Sequence, residues 1–205
     1  MELHTHASRL MDAYLKEYPS HEMRLAPAYE LLKLDDPIHR KEWRGHFTAS
    51  LLTLNAERTH VLTIHHVLLN RRLCPGGHID EDGNPFDTAL REAQEEVGLP
   101  LDNLVPLNTW SQEACAIDID IHGIGENVRK QEPPHMHYDI LYAVQAPKNV
   151  ELIPVQDEGV YDLQWTPLSE WMNFNARNQR MMEVLLRYQV VSMDMNQQAF
   201  ALLMP

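Results

Sequence analysis

The chain is poor in cysteine, in basic residues and in long apolar runs, and each shortage excludes something. Its two cysteines, Cys74 and Cys115, form neither a metal-type spacing nor a disulfide framework. A reducing, cytoplasmic setting is the expectation, with both thiols packed as small buried side chains. Lys and Arg number 17 against 30 Asp and Glu, a formal net charge of −13. Nucleic-acid binding needs clustered cations against phosphates, so no nucleic-acid partner is expected. A small phosphorylated substrate stays open, because a bound metal would supply positive charge locally. No apolar run reaches the length of a membrane span, so no transmembrane helix is expected. The N-terminal MELHTHASRLMDAYLKEYPS has no basic region followed by an apolar core, so no signal peptide is expected. There is no internal repeat and no low-complexity segment.

Against these shortages, 44% of the residues are hydrophobic, enough for one ordinary domain plus an extension. The chain is organised around Cys74 to Leu99, CPGGHIDEDGNPFDTALREAQEEVGL. This stretch reads as a strand end, a glycine turn and one well-capped helix. Asn84 suits the N-cap, Pro85 the first helical position and Asp87 the positive end of the helix. Gly98 offers the left-handed stop. Phe86, Ala89, Leu90, Ala93 and Val97 recur at helical steps and form an apolar stripe.

Glu92, Glu95 and Glu96 stand at i, i+3 and i+4, so three like charges share one side of that helix. The repulsion gains the helix nothing by itself, whereas a hard cation would turn it into coordination. Acidic helix faces are ordinarily just solvated. Two neighbouring features point elsewhere. Arg91 lies one turn from Glu95 and can hold a carboxylate in a fixed orientation. Gly76 and Gly77 stand where a strand must turn sharply and where a ligand can come close.

Elsewhere the period changes along the chain. Residues 7 to 18 and 21 to 34 read as helices, with Asp35 to Pro37 as a boundary. Phe47 to Asn55 and Thr59 to Val67 read as a hairpin joined by a turn at residues 55 to 58. His65 and His66 are adjacent on a strand and face opposite ways, as ordinary surface or half-buried histidines. Arg71 and Arg72 precede the glycine turn and are candidate phosphate contacts.

Val105 to Trp110 and Glu113 to Ile121 read as two strands, and His122 to Pro134 as a long polar loop in which Glu126 is most simply solvated. His135 to Ala146 alternates as a strand, with His135, His137 and Asp139 on one face. That face either lines a cleft, touching phosphate or a second metal, or is a polar outer face. Tyr161 to Thr166 reads as a short strand, Pro167 to Trp171 opens a helix, and residues 176 to 190 form a closing helix. Strands in runs with helices between and around them predict an α+β layer sandwich.

The central stretch resembles the Nudix hydrolase signature, G-x5-E-x7-R-E-U-x-E-E-x-G-U with U aliphatic. Gly77 matches the first glycine, and Arg91, Glu92, Ala93, Glu95, Glu96, Gly98 and Leu99 match the second half in spacing. The signature's first glutamate falls on Gly83, with Asp80, Glu81 and Asp82 just upstream as replacements for its carboxylate. The resemblance implies an α/β/α sandwich with a mixed sheet over residues 45–190, preceded by a helical extension at 1–44. A tail at 191–205 would pack on the domain or in a dimer contact, and a homodimer is left open.

It also implies a metal-dependent hydrolase that cleaves a phosphoanhydride bond in a nucleoside diphosphate linked to another moiety. Mg²⁺ or Mn²⁺ would be held by Glu92, Glu95 and Glu96, with Arg91 orienting a glutamate and Gly76 and Gly77 shaping the turn. H-x-H-x-D strands occur in some Nudix subgroups, which places His135 and His137 with the substrate. The acidic residues before Trp-x-Pro-Leu resemble the closing segment of the domain, where a base or metal ligand often sits. Asp157 and Glu158 are the candidates there, and Glu158 is preferred. Three other readings remain. A ligand-binding module of the same fold is favoured by Gly83, an interaction protein would dock through residues 1 to 40, and a metal-dependent isomerase would need Cys74.

Overall fold

The computed structural model describes residues 2–66, 70–79, 83–110, 113–128, 130–153, 160–187 and 190–191. Two helices lead, α1 (Glu2–Glu17) and α2 (Glu22–Leu31), with a 3-10 turn at Pro19–His21 between them. Four strands follow: β1 (His46–Leu54), β2 (His60–His66), β3 (Arg71–Leu73) and β4 (Gly76–His78). Then come α3 (Pro85–Val97), β5 (Val105–Pro106), β6 (Thr109–Trp110), β7 (Glu113–Ala114), β8 (Asp118–Ile124) and β9 (His135–Gln145). The chain closes with β10 (Val160–Pro167), α4 (Leu168–Trp171) and α5 (Ala176–Arg187). The tail proposed at 191–205 lies outside the described residues from position 192 onward.

The class is α+β with a mixed sheet and N-terminal helices, as expected. Strand order is β10-β2-β1-β9-β5, with β3 on β2, β4 on β1 and β8 on β9. The β1/β2, β1/β4, β2/β3, β2/β10, β5/β9 and β8/β9 pairs are antiparallel. β1 and β9 run parallel. The Phe47 and Tyr138 rings meet at 5.7 Å near their starts, and the Ala146 amide donates to the Leu54 carbonyl at 2.8 Å near their ends.

Packing divides the chain into two compact units. The first comprises residues 1–51, 76–93 and 109–142. Its N-terminal helices are tied down by a buried polar knot. The Asp118 side chain is 0% exposed and pairs with Arg24 at 3.3 Å. The Tyr14 hydroxyl donates to the same carboxylate, and Arg24 also donates to the Ile119 carbonyl. Tyr18 and His21 stack beside the knot, with the Tyr14 ring tilted against Tyr18. In the same unit Phe86 of α3 packs on the fully buried Tyr142 of β9, their rings 5.1 Å apart.

The second unit comprises residues 52–75, 94–108 and 143–205. Its core gathers Leu52, Leu54, Val61, Leu62 and Ile64 with Trp171, Met181, Met182 and Leu185. Burying each large apolar side chain contributes about 1.5–3 kcal/mol. Thr63 and Thr166 share a hydroxyl–hydroxyl bond at 2.7 Å inside this unit. The β2/β10 register slips between Tyr161 and Gln164, and Asp162 takes φ +53° in the bulge.

Several boundaries differ from the sequence expectation, two of them near the histidine-bearing strands. The strand expected over Val105 to Trp110 breaks after Pro106, and β6 pairs with β7 as a separate hairpin. The single strand expected over Glu113 to Ile121 splits into β7 and β8, and β8 runs on to Ile124 because it finds partners on β9 from Asp118↔Leu141 to Ile124↔His135. His122 therefore stands on a strand and not in a loop. Ladder pairing overrides the local glycine at Gly123.

Candidate functional site

The glycine turn and α3 meet as the spacing predicts. Ala49 and Ser50 of β1 pair with Gly77 and Gly76 of β4. A β-carbon on Gly76 would come within 2.7 Å of the Ala49 carbonyl and the Ser50 Cα, so only glycine fits. A β-carbon on Gly77 would meet the Glu92 carboxylate, with Oε2 at 2.6 Å. The first position of the turn is thus reserved for backbone and the second for a carboxylate.

The helix is capped by Asn84, whose side-chain oxygen accepts from the Phe86 amide at 3.0 Å and whose carbonyl accepts from the Thr88 amide. At the other end Gly98 takes φ +62° and its amide donates to the Gln94 carbonyl. Between these caps Ala89, Ala93 and Val97 are buried. Arg91 donates to the His78 carbonyl at 3.1 Å and pairs with Glu92 at 2.9 Å. One guanidinium therefore ties the helix to β4 and orients a carboxylate whose side chain is 17% exposed. Glu96 is buried and Glu95 is exposed.

All three acids offer hard oxygen donors, which fit magnesium or manganese in chemical character. Gly83 stands at φ +72°. The signature's first glutamate is replaced there by the residue that enters the left-handed region at least cost. The acids Asp80, Glu81 and Asp82, and the candidate base Glu158 with its neighbour Asp157, lie outside the described residues.

The arginines that precede the turn have separate fates. Arg72 pairs with Asp162 and also donates to the Asp162 carbonyl at 2.9 Å. Arg71 is exposed. Glu126 is exposed in the loop after β8. Cys74 and Cys115 form no disulfide and are half-buried, so the fully buried packing expected of them is not reached.

His135 and His137 do share a face of β9, and the structure adds histidines that the sequence reading missed. His46 at the start of β1 stacks on His135 at 5.0 Å and lies 4.8 Å from His137, ring to ring. His78 of β4 lies 5.0 Å from His46 and 5.3 Å from His137. His122 stands opposite His137 in the β8/β9 register, with the rings 5.8 Å apart. Burial, with the neighbouring rings second, pushes His78 down to about 4 and His137 to about 2. Burial also lowers His46 to about 4, against a smaller opposing effect of the Glu42 carbonyl.

Asp139, the third residue on that face, accepts from Thr48 at 3.0 Å and from Ser50 at 2.8 Å. It joins β9 to β1. Strand alternation was the signal for His135 and His137; His46, His78 and His122 needed the pairing partners, which no local pattern supplies.

Among the described residues no helix is long and apolar enough to cross a membrane. A probable DHNTP pyrophosphohydrolase of Lactococcus lactis subsp. cremoris (strain MG1363) is 29% identical over 98 residues, which are 48% of this chain and 52% of that protein. The match thus spans about half the length of this curated relative. A crystal structure of a NUDIX-family hydrolase from Clostridium perfringens superposes with a TM-score of 0.52 at 20% identity, covering 72% of this chain and 98% of that one. That likeness bears on the fold alone. The NUDIX domain model matches residues 45–185, which include the glycine turn, α3 and the histidine-bearing strands. On this match over more than half its length, the chain belongs to the Nudix family.

Proposed function

We propose that the chain is a pyrophosphohydrolase that cleaves a phosphoanhydride bond in a nucleoside diphosphate linked to another moiety. The observation that supports this best is the seating of Glu92 against Gly77 with Arg91 holding the carboxylate. A helix under no functional demand has no use for that crowding of acids. Glu92, Glu95 and Glu96 would hold Mg²⁺ or Mn²⁺, since their oxygens suit hard cations that also take substrate phosphates. When bound, such an ion polarises phosphoryl oxygens and lowers the pKa of water.

The protein's own part is positioning. Arg91 keeps the Glu92 carboxylate facing the turn, as partners behind a metal ligand commonly do. Gly76 and Gly77 would shape the turn beside the helix and let β1 and the Glu92 carboxylate approach it. Glu158 would accept the proton of the attacking water. Arg71 and Arg72 would meet phosphate, and Arg72 would first have to share its bond to Asp162. The relative's name, a pyrophosphohydrolase, supports the same reaction class. Two cysteines that form no disulfide suit a reducing, cytoplasmic setting.

The test is release of phosphate or nucleoside monophosphate from a panel of nucleotide substrates with Mg²⁺ or Mn²⁺. Turnover by the native chain, lost in both Glu95→Gln and Glu96→Gln, is the expected result, and the best substrate names the specificity. Absence of turnover on the whole panel would overturn the reading. Gly83 in place of the signature's first glutamate favours one other reading, a ligand-binding module of the same fold. Tight nucleotide binding without turnover would be its mark.

A further inference from the structure

We propose that His46, His135 and His137 form a separate metal centre, a three-nitrogen site for a divalent transition ion of which Zn²⁺ is the best match. Among the described residues these three form the set whose ligand atoms all lie within 4.8 Å of one another. The set contains no carboxylate. Imidazole nitrogen suits zinc, copper, iron and nickel, whereas magnesium and manganese prefer oxygen. The donor chemistry therefore separates this site from the glutamates of α3.

On two of the three rings a backbone carbonyl sets which nitrogen carries the proton. The His135 Nδ1 lies 2.8 Å from the Pro133 carbonyl, which can only accept, so this nitrogen carries the hydrogen. The Nε2 of the neutral ring is then a bare lone pair. His46 repeats the pattern, with Nδ1 directed at the Glu42 carbonyl at 3.5 Å. A backbone carbonyl on one ring nitrogen is the usual way to aim the other at a metal.

The His46 Nε2 carries the argument further. His46 is 0% exposed and this nitrogen finds no hydrogen-bond partner among the described residues. A buried polar atom left unsatisfied costs about 1–3 kcal/mol. Histidine pairing alone does not remove that cost. The His135 and His137 Nε2 atoms face each other at 3.1 Å, which can satisfy those two and leaves His46 out. A cation among the three satisfies all of them. Two ligand nitrogens on a tetrahedral zinc stand about 3.4 Å apart, given bonds of about 2.0–2.1 Å, so the 3.1 Å pair is near the required spacing.

The platform is rigid. His135 and His137 are two residues apart on β9, held by the β8 ladder, and His46 opens β1. Asp139 joins those two strands through Thr48 and Ser50. Three protein donors leave a fourth position for water, with the His78 ring beside His46 and His137.

The test is metal titration of the full chain after chelator treatment, with Co²⁺ as a spectroscopic probe. Expected are one tight Zn²⁺ equivalent and an intense visible Co²⁺ spectrum of low-coordinate nitrogen ligation. His46→Gln and His137→Gln should weaken Zn²⁺ by more than about a hundredfold, since even partners behind a ligand cost 10–100-fold. Glu95→Gln and Glu96→Gln should keep both the equivalent and the spectrum, so the result stands apart from the hydrolase assay. A native chain with no tight Zn²⁺ equivalent, or with only the weak spectrum of octahedral oxygen ligation, would overturn the proposal. Binding that survives the histidine changes and disappears with the glutamate changes would overturn it too. If the histidine variants fail to fold, the native Co²⁺ spectrum decides alone.

Discussion

The carboxylate of Glu92 occupies the space that a β-carbon on Gly77 would take. Gly77→Ala must therefore push Glu92 away from the turn or move β4. Displacing a catalytic group by about 1 Å can cost about a hundredfold. Gly77→Ala is expected to lower kcat by 10- to 100-fold, about that size, with far-UV circular dichroism unchanged. Steady-state kinetics on the best substrate of the panel checks this; native kcat would refute it.

Gly98 ends α3 at φ +62°, and a β-carbon there would stand 2.5 Å from the Ile153 carbonyl. Gly98→Ala meets backbone strain and a backbone clash together. A loss of about 1–3 kcal/mol is expected, read from the urea midpoint at constant m-value.

Asp118 is fully buried, and its cation is Arg24 at 3.3 Å. Arg24→Met leaves the carboxylate buried beside the Tyr14 hydroxyl without that countercharge. Breaking a buried pair from one side costs about 3–5 kcal/mol; because Arg24 is partly solvated, the lower end, about 3 kcal/mol, is expected. Urea denaturation of Arg24→Met measures it. A change within error would mean that the N-terminal helices contribute little.

In chelator, the histidine cluster predicts a pH-dependent stability. Burial is the main cause that lowers His46 and His78 to about 4. His135 and Arg40 act on both in the same direction; His46 and Lys130 add to the effect at His78, and Glu132 opposes it at His46. The unfolded rings titrate near the ordinary value of about 6.5. Between these values the unfolded chain binds more protons than the folded one, so stability rises with pH there. Metal-free protein is expected to hold a constant urea midpoint above about pH 7 and to lose stability steadily below about 6.5. Saturating Zn²⁺ should raise the midpoint at neutral pH. A midpoint flat from pH 7.5 to pH 5, about the range of imidazole titration, would refute the first part.

What the sequence by itself determined is local. Asn84, Pro85 and Gly98 bound α3 because a cap depends on residues within one turn. The three glutamates share a side because helical spacing alone puts them there. Alternation identified β9 and the shared face of His135 and His137, since successive side chains on a strand must face opposite ways. At Gly83 the sequence showed a missing carboxylate, and the structure adds that the backbone there is left-handed, at φ +72°.

Beyond the β1/β2 hairpin, only the tertiary structure decided which strands lie together. His46 and His135 are far apart in the chain, and they meet because β1 and β9 pair in parallel. His122 joins them because β8 runs past the expected strand end, in register with β9. Arg24 found Asp118 through the same kind of long-range docking. Periodicity specifies a face and never the neighbour that covers it, so contacts made by strand pairing cannot be read from spacing.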